Sequence, residues 1–121
     1  MGEVLIDFLP LEESGRTVGF RMHPGGSLLN VAVAAARLGQ PVALATTIAT
    51  DFFGRFLRAY AEGEGVDPRW LIDSPALSTL AFVAHEGGEP VFNFYGEGTA
   101  DTLLTPEALP EELFAETAIL H

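Results

Sequence analysis

Apolar residues recur along this chain in short blocks set apart by glycine, proline and acidic residues. Val4 to Leu9 is an apolar run interrupted at Asp7 and closed by Pro10, and its length and flanks predict a buried strand. Leu11 to Arg16 is acidic and contains Gly15, which predicts a loop; Thr17 to Met22 predicts a short second strand leading into His23-Pro24-Gly25-Gly26. From Ser27 to Leu38 almost every position is apolar, with Gly39 and Pro41 as stop signals, so the pattern predicts a helix buried on most of its sides. The exception within it is Asn30. An unpaired buried amide costs on the order of 1–3 kcal/mol, so Asn30 is expected either to be satisfied by the protein or to be kept for something that is not protein.

Val42 to Thr47 predicts the next strand. Thr50 or Asp51 can cap a following helix whose Phe52, Phe53, Phe56, Leu57 and Tyr60 turn toward the sheet, and Gly63 and Gly65 end it. The order so far predicts a parallel α/β sheet with flanking helices. The pattern then changes: Ser78 to His85 and Pro90 to Tyr95 read as a hairpin joined by the four residues Glu86-Gly87-Gly88-Glu89, a flap rather than part of the main sheet. On regular strands Leu80, Phe82 and Ala84 share one face, and Phe92 and Phe94 share one face of the partner. Thr105-Pro106-Glu107 opens a helical segment through Leu109, Glu111 to Glu116 gives another turn, and Thr117 to His121 starts like a strand. Three parallel strands, Val4 to Leu9, Val42 to Thr47 and Thr117 to His121, would make a narrow sheet with an open apolar edge, so the sheet reads as incomplete.

Composition narrows the function. The 121 residues carry 17 acidic against six basic side chains, all six of them arginine, for a formal charge of −11. That balance argues against nucleic acid and against an anionic membrane as partner, since both select dense cationic surfaces. The absence of lysine excludes a phosphate loop of the G-x-x-x-x-G-K type. The absence of cysteine removes thiol catalysis and disulfides and suits a reducing compartment; with no basic leader and no apolar run of about 18 residues, the expected location is cytoplasmic. His23, His85 and His121 are scattered, and no metal site is expected.

Asp7, Gly25, Gly26 and Asn30 remain as candidates for chemistry. Asp7 lies in a strand of an α/β sheet, where ligands bind beyond the carboxyl ends of strands. Gly25 and Gly26 allow close approach of backbone donors at a helix start, and Asn30 looks back toward that end because helical side chains tilt N-terminally. A carboxylate acceptor, a carboxamide and bare amides together suit hydroxyl groups. The alternative is that Asp7 and Asn30 bond each other or nearby backbone and pin helix to strand.

The segments GEVLIDFLP, PGGSLLNVAVAAARLG, ATDFFGRFLRAYAEGEGVD and FNFYGEGTAD, taken in order, resemble the ribokinase/PfkB family of carbohydrate kinases, and the fructokinases most of all. The resemblance runs over essentially the whole chain, and its GG-x-x-x-N-x-A-x-x-x-x-x-LG spacing is a specific signal. It implies the N-terminal part of a ribokinase-like α/β fold over residues 1–121, with lid segments at about 11–24 and 72–97 and a β-hairpin lid. It implies sugar hydroxyls held by Asp7, Gly25, Gly26 and Asn30, and lid aromatics Phe82, Phe92 or Phe94 covering the sugar or packing lid on lid in a homo-oligomer.

The family reaction transfers the γ-phosphoryl of ATP, with Mg²⁺, to a sugar hydroxyl. The ATP pocket and the G-A-G-D segment carrying the catalytic base belong to a C-terminal half with no counterpart here. No catalytic residue is therefore assigned, neither ATP nor Mg²⁺ is expected to bind tightly, and the chain alone is expected to be inactive. Gly96 stands where relatives that act on acidic ketosugars carry arginine, and Leu28-Leu29 where smaller residues or proline are common; the first favours a neutral ketose such as fructose. The alternative function is a non-catalytic oligomeric binding or assembly module, closed through the lid or the sheet edge.

Overall fold

The computed structural model describes residues 1–86 and 89–121. In chain order the elements are β1 (Leu5–Glu13), β2 (Arg16–Gly25), α1 (Ser27–Arg37), β3 (Thr46–Ala49), α2 (Phe52–Gly63), β4 (Leu71–Ser74), β5 (Thr79–Glu86), β6 (Glu89–Tyr95) and α3 (Glu111–Glu116). Single 3-10 turns lie at Pro68–Trp70, Ala100–Leu103 and Pro106–Ala108. The strands form a four-stranded sheet of order β2-β1-β5-β6 and a separate parallel pair, β3-β4.

The fold is α/β as expected, but its strand roster differs from the sequence pattern. The segment Leu11 to Arg16 is not a loop: β1 runs on through Pro10 to Glu13 and returns as β2 through a two-residue turn. Ser14 and Gly15 make that turn with φ of 52° and 73°, the positive pair that matches strand twist in a tight hairpin. Pro10 does not break the strand because β5 pairs only with Leu5 to Phe8, leaving Pro10 in a two-stranded ribbon where its missing N–H disrupts no central ladder. Pro24 and Pro90 likewise sit on β2 and β6, the two outer strands.

The parallel partner of β1 is β5, not Val42 to Thr47 and not Thr117 to His121. The hairpin β5-β6 is therefore built into the larger sheet rather than appended as a flap. Glu86 pairs with Glu89, so each strand reaches one residue further toward the turn than expected, while β5 begins at Thr79 rather than Ser78; the Gly87-Gly88 connection lies outside the described residues. Strand β3 starts only at Thr46, where β4 provides a partner; upstream, Ala43 makes a single bridge to Asp67. Thr117 to His121 forms no strand, and its end meets the start of the chain, where the Met1 ammonium donates to the His121 carbonyl at 2.6 Å.

Ile6, Leu29, Val33, Leu44, Ile48 and Leu57 centre the core. Helix α1 buries one face only: Leu29, Ala32 and Val33 point inward, while Asn30, Val31, Ala34 and Leu38 are exposed. Burial on most sides is thus corrected for the chain as it stands. In α2, Leu57 is buried and Phe53, Phe56 and Tyr60 pack on the core as expected, whereas Phe52 is 62% exposed. Helix α2 lies so close to β3 that a Cβ on Gly54 would fall 1.8 Å from the Ala49 carbonyl oxygen.

Candidate functional site

The register of the larger sheet sorts the candidate residues by face, because paired residues in adjacent strands point to the same side. Asp7 is opposite His23 on β2 and Ala81 on β5, and Ala81 is opposite Phe94 on β6. Asp7, Phe94 and, two residues along, Phe92 therefore share one face. Phe92 and Phe94 stack with ring centroids 6.1 Å apart and both are exposed.

Phe82 is opposite Phe8 and Asn93 and belongs to the other face. There it stacks on Phe8 at 4.6 Å and meets Phe20 and Tyr95 edge-on, while Phe8 in turn meets Phe53 of α2. The structure thus separates Phe82 from Phe92 and Phe94 and places it toward the core side of the sheet.

Asp7 sits at the junction of β2 and α1. A Cβ added at Gly25 would lie 2.1 Å from Asp7 Oδ2, so the carboxylate occupies the space that a side chain at position 25 would need. Gly26 has φ 105° and packs on the backbone of Glu3, leaving 2.7 Å between a hypothetical Cβ and the Glu3 carbonyl; both features demand glycine. Burial pushes the Asp7 carboxyl above its ordinary value, His23 works in the opposite direction and Glu3 adds to the rise. Asp7 is half-buried and no protein donor reaches its carboxylate among the described residues.

Helix α1 starts directly beyond these glycines, and Gly26 offers no side-chain cap. Its place is taken by Glu3, whose Oε1 accepts from Ser27 N and Ser27 Oγ, both at 3.1 Å. Asn30 N donates to Gly26 O at 3.0 Å, while Leu28 N and Leu29 N have no protein acceptor among the described residues. The Asn30 side chain is exposed, not buried as its apolar surroundings in sequence implied, and among the described residues it bonds neither Asp7 nor backbone. Nothing in the sequence pattern marks Glu3; its only signal is an acid two positions before β1, which carries no pattern of its own.

A second polar centre holds the base of the β5-β6 hairpin. Asp51, the cap of α2, accepts from Gly54 N at 2.8 Å, Ser78 N at 2.9 Å and Ser78 Oγ at 2.8 Å, tying the helix start to the residue before β5. Burial works to raise its carboxyl, but these hydrogen bonds prevail and hold it below the ordinary range. Behind it Thr79, Thr99 and Asp101 share a hydroxyl–carboxylate cluster, and Thr99 Oγ1 also reaches the Gly96 carbonyl at 2.9 Å. Both legs of the hairpin are pinned where they leave the sheet.

Among the described residues no three His, Asp or Glu side chains gather in a way that could hold a metal ion, and the chain has no lysine to meet a polyphosphate. No helix is long and apolar enough to cross a membrane.

Asp7, lodged against Gly25 at a strand-to-helix junction, and the Leu28 and Leu29 amides, which have no protein acceptor among the described residues, are acceptor and donors of the kind that pair with hydroxyl groups. The chain belongs to the pfkB family of carbohydrate kinases, whose family model matches residues 1–121. It is 40% identical over 125 aligned positions to fructokinase-1 of Zea mays, covering 99% of this chain and 39% of that protein. The fructokinase of Xylella fastidiosa superposes with a TM-score of 0.87 at 39% identity, covering 95% of this chain and 37% of the other. A second structure of the Xylella fastidiosa enzyme, at TM-score 0.86 and 36% identity over 94% of this chain and 34% of that one, contains bound ATP. The chain thus spans well under half the length of the relatives it matches.

Proposed function

We propose that these 121 residues are the sugar-binding and lid portion of an ATP-dependent carbohydrate kinase, with a neutral ketose of the fructose type as acceptor. The observation that carries the reading is Asp7: its carboxylate is partly buried, lodged against Gly25 and bonded to no protein donor among the described residues, which leaves it open to a ligand hydroxyl. Asp7 would accept from one or two sugar hydroxyls. The Leu28 and Leu29 amides would donate to sugar oxygens, Gly25 and Gly26 would allow close approach, and Asn30 would donate and accept from the first turn of α1.

Phe92 and Phe94, on the face of Asp7, are the aromatics suited to cover the sugar; Phe82, on the opposite face, would brace the hairpin from behind. Two relatives, the fructokinases of maize and Xylella fastidiosa, support fructose as the first sugar to test. The contribution of this segment to phosphoryl transfer is positioning: it holds the acceptor hydroxyl in place, and by itself it does not turn over.

Calorimetric titration with fructose tests this. A saturable heat is expected for the chain, weakened at least tenfold in Asp7→Asn and in Asn30→Ala, as loss of a hydrogen bond to a charged or buried partner implies. The absence of heat with fructose and with every other ketose or pentose would end the proposal. The exposed Phe92–Phe94 stack also supports a second reading, in which the hairpin packs on that of another copy; a light-scattering mass of one chain that stays unchanged with concentration would remove it.

A further inference from the structure

We infer, resting on the sugar reading above, that His23 is a further member of the sugar site. Its imidazole and the Asp7 carboxylate take one ligand hydroxyl between them, the ring N–H donating to the hydroxyl oxygen and the hydroxyl donating to Asp7. Nothing in the scattered placing of His23, His85 and His121 along the sequence marks this residue; the register of the sheet does. His23 is directly opposite Asp7, two residues before Gly25, and the same row runs on through Ala81 of β5 to Phe94 of β6. On one face that row presents a base, an acid, a small residue and an aromatic ring, in that order.

Opposite residues of an antiparallel pair have Cβ atoms about 4.5–5.5 Å apart, close enough for an acid and a base to bond each other. These two do not. The Asp7 carboxylate is turned along the strand to Gly25, where Oδ2 fills the space of the absent side chain, and among the described residues the one histidine in an ion pair is His85, with Glu12. Both side chains are partly buried. A hydroxyl accepts from one neighbour and donates to the other, which a carbonyl or an ammonium cannot do. Two further charged groups bear on the pair: Glu3, which adds to the rise of the Asp7 carboxyl and caps Ser27, and Arg21, exposed in the next row of the same face. In these rows β5 and β6 turn Ala81, Val83, Phe92 and Phe94 to that face, with His85 further out beside Glu12.

A shared hydroxyl has a signature in protons. The charged imidazole is the stronger donor, so the bound hydroxyl favours protonated His23, and binding takes up protons where histidine side chains titrate, between about pH 5 and 8. At Asp7 the same hydroxyl favours the ionised carboxylate, so binding there releases protons, at more acid pH. Affinity for fructose therefore rises as pH falls from about 8 toward 6 and drops again as Asp7 gains its proton.

Calorimetric titration of the 121-residue chain with fructose tests this, run from about pH 5.5 to 8 in paired buffers of different ionisation enthalpy. The expected result is net proton uptake near pH 6.5 in the wild type. In His23→Gln, which keeps a side-chain donor but does not titrate, uptake is abolished while affinity at pH 8 stays within about threefold; in His23→Ala affinity falls about fivefold or more. Thermal melts of the unliganded variants establish that they are folded, and His23→Gln carries the test if His23→Ala is not. A role in the hairpin alone would move those melts and leave proton uptake untouched. Buffer-independent heats in the wild type, uptake that persists in His23→Gln, or wild-type affinity in both variants would overturn the assignment of His23 and leave the sugar site standing. No heat from the wild type with fructose or any other ketose or pentose would end the sugar reading and this assignment with it.

Discussion

At the residue scale, two aspartates whose carboxyls are shifted in opposite directions carry the account. Asp7 is raised by burial, so its ionised form opposes folding: the contribution is most favourable below the unfolded value near pH 3.9 and is lost as pH rises through the higher folded value. Asp7→Asn is therefore expected to melt at or above the wild-type temperature at pH 7 while losing fructose binding; a lower melting temperature would show that the carboxylate serves the fold. Asp51 is the reverse. Its carboxyl is held low by Gly54 and Ser78, so its contribution is present above the unfolded value and disappears as pH falls through the folded one. Asp51→Ala should cost roughly 2 kcal/mol at neutral pH by loss of a cap and a cross-element tie, and thermal melts should show that difference shrinking below about pH 4.

Much of this was legible in the residues. A cap at Thr50 or Asp51 follows from acid before an aromatic-rich helix, and Gly25 and Gly26 stand out before α1. What could not be read is that Asn30 faces solvent here and that Glu3 caps Ser27, because both depend on which neighbours the folded chain supplies.

At the scale of elements, hydrophobic pattern located α1, α2, the β5-β6 hairpin and the short α3, and misplaced strands wherever pairing decides their limits. β4 was missed because Leu71 to Ser74 is four residues of mixed polarity, given meaning only by its parallel pairing with β3. Leu11 to Arg16 looks like a loop in sequence because Pro10 and the acidic Leu11-Glu12-Glu13 resemble breakers, whereas a two-stranded ribbon at the sheet margin tolerates both. Thr117 to His121 has strand composition but no strand to pair with among the described residues.

The tightest element contact is α2 on β3 at Gly54. Gly54→Ala would press a methyl group into the Ala49 carbonyl, and overpacking of that kind against backbone costs roughly 1–3 kcal/mol or more. Urea unfolding should show a lowered midpoint; an unchanged midpoint would mean that α2 can lift off β3 freely.

At the scale of the whole molecule, the chain carries a formal charge of −11 and folds around one core that leaves a helix face and a groove uncovered. Self-repulsion of that size is screened by salt, so the melting temperature is expected to climb between about 10 mM and 150 mM salt as the Debye length falls from about 30 Å to about 8 Å. A falling temperature would imply that ion pairs such as Arg37 with Glu64 outweigh the net charge.

The claim on which the account turns is that Asp7, the two glycines and Asn30 address one sugar. Nuclear magnetic resonance of the isotopically labelled chain during a fructose titration tests it most directly. The account predicts saturable shifts, with a common midpoint, of the Gly25 and Gly26 amides, the Leu28 and Leu29 amides and the Asn30 side-chain NH₂. Shifts confined to other regions, or an Asn30 signal that stays still while the glycines move, would contradict it.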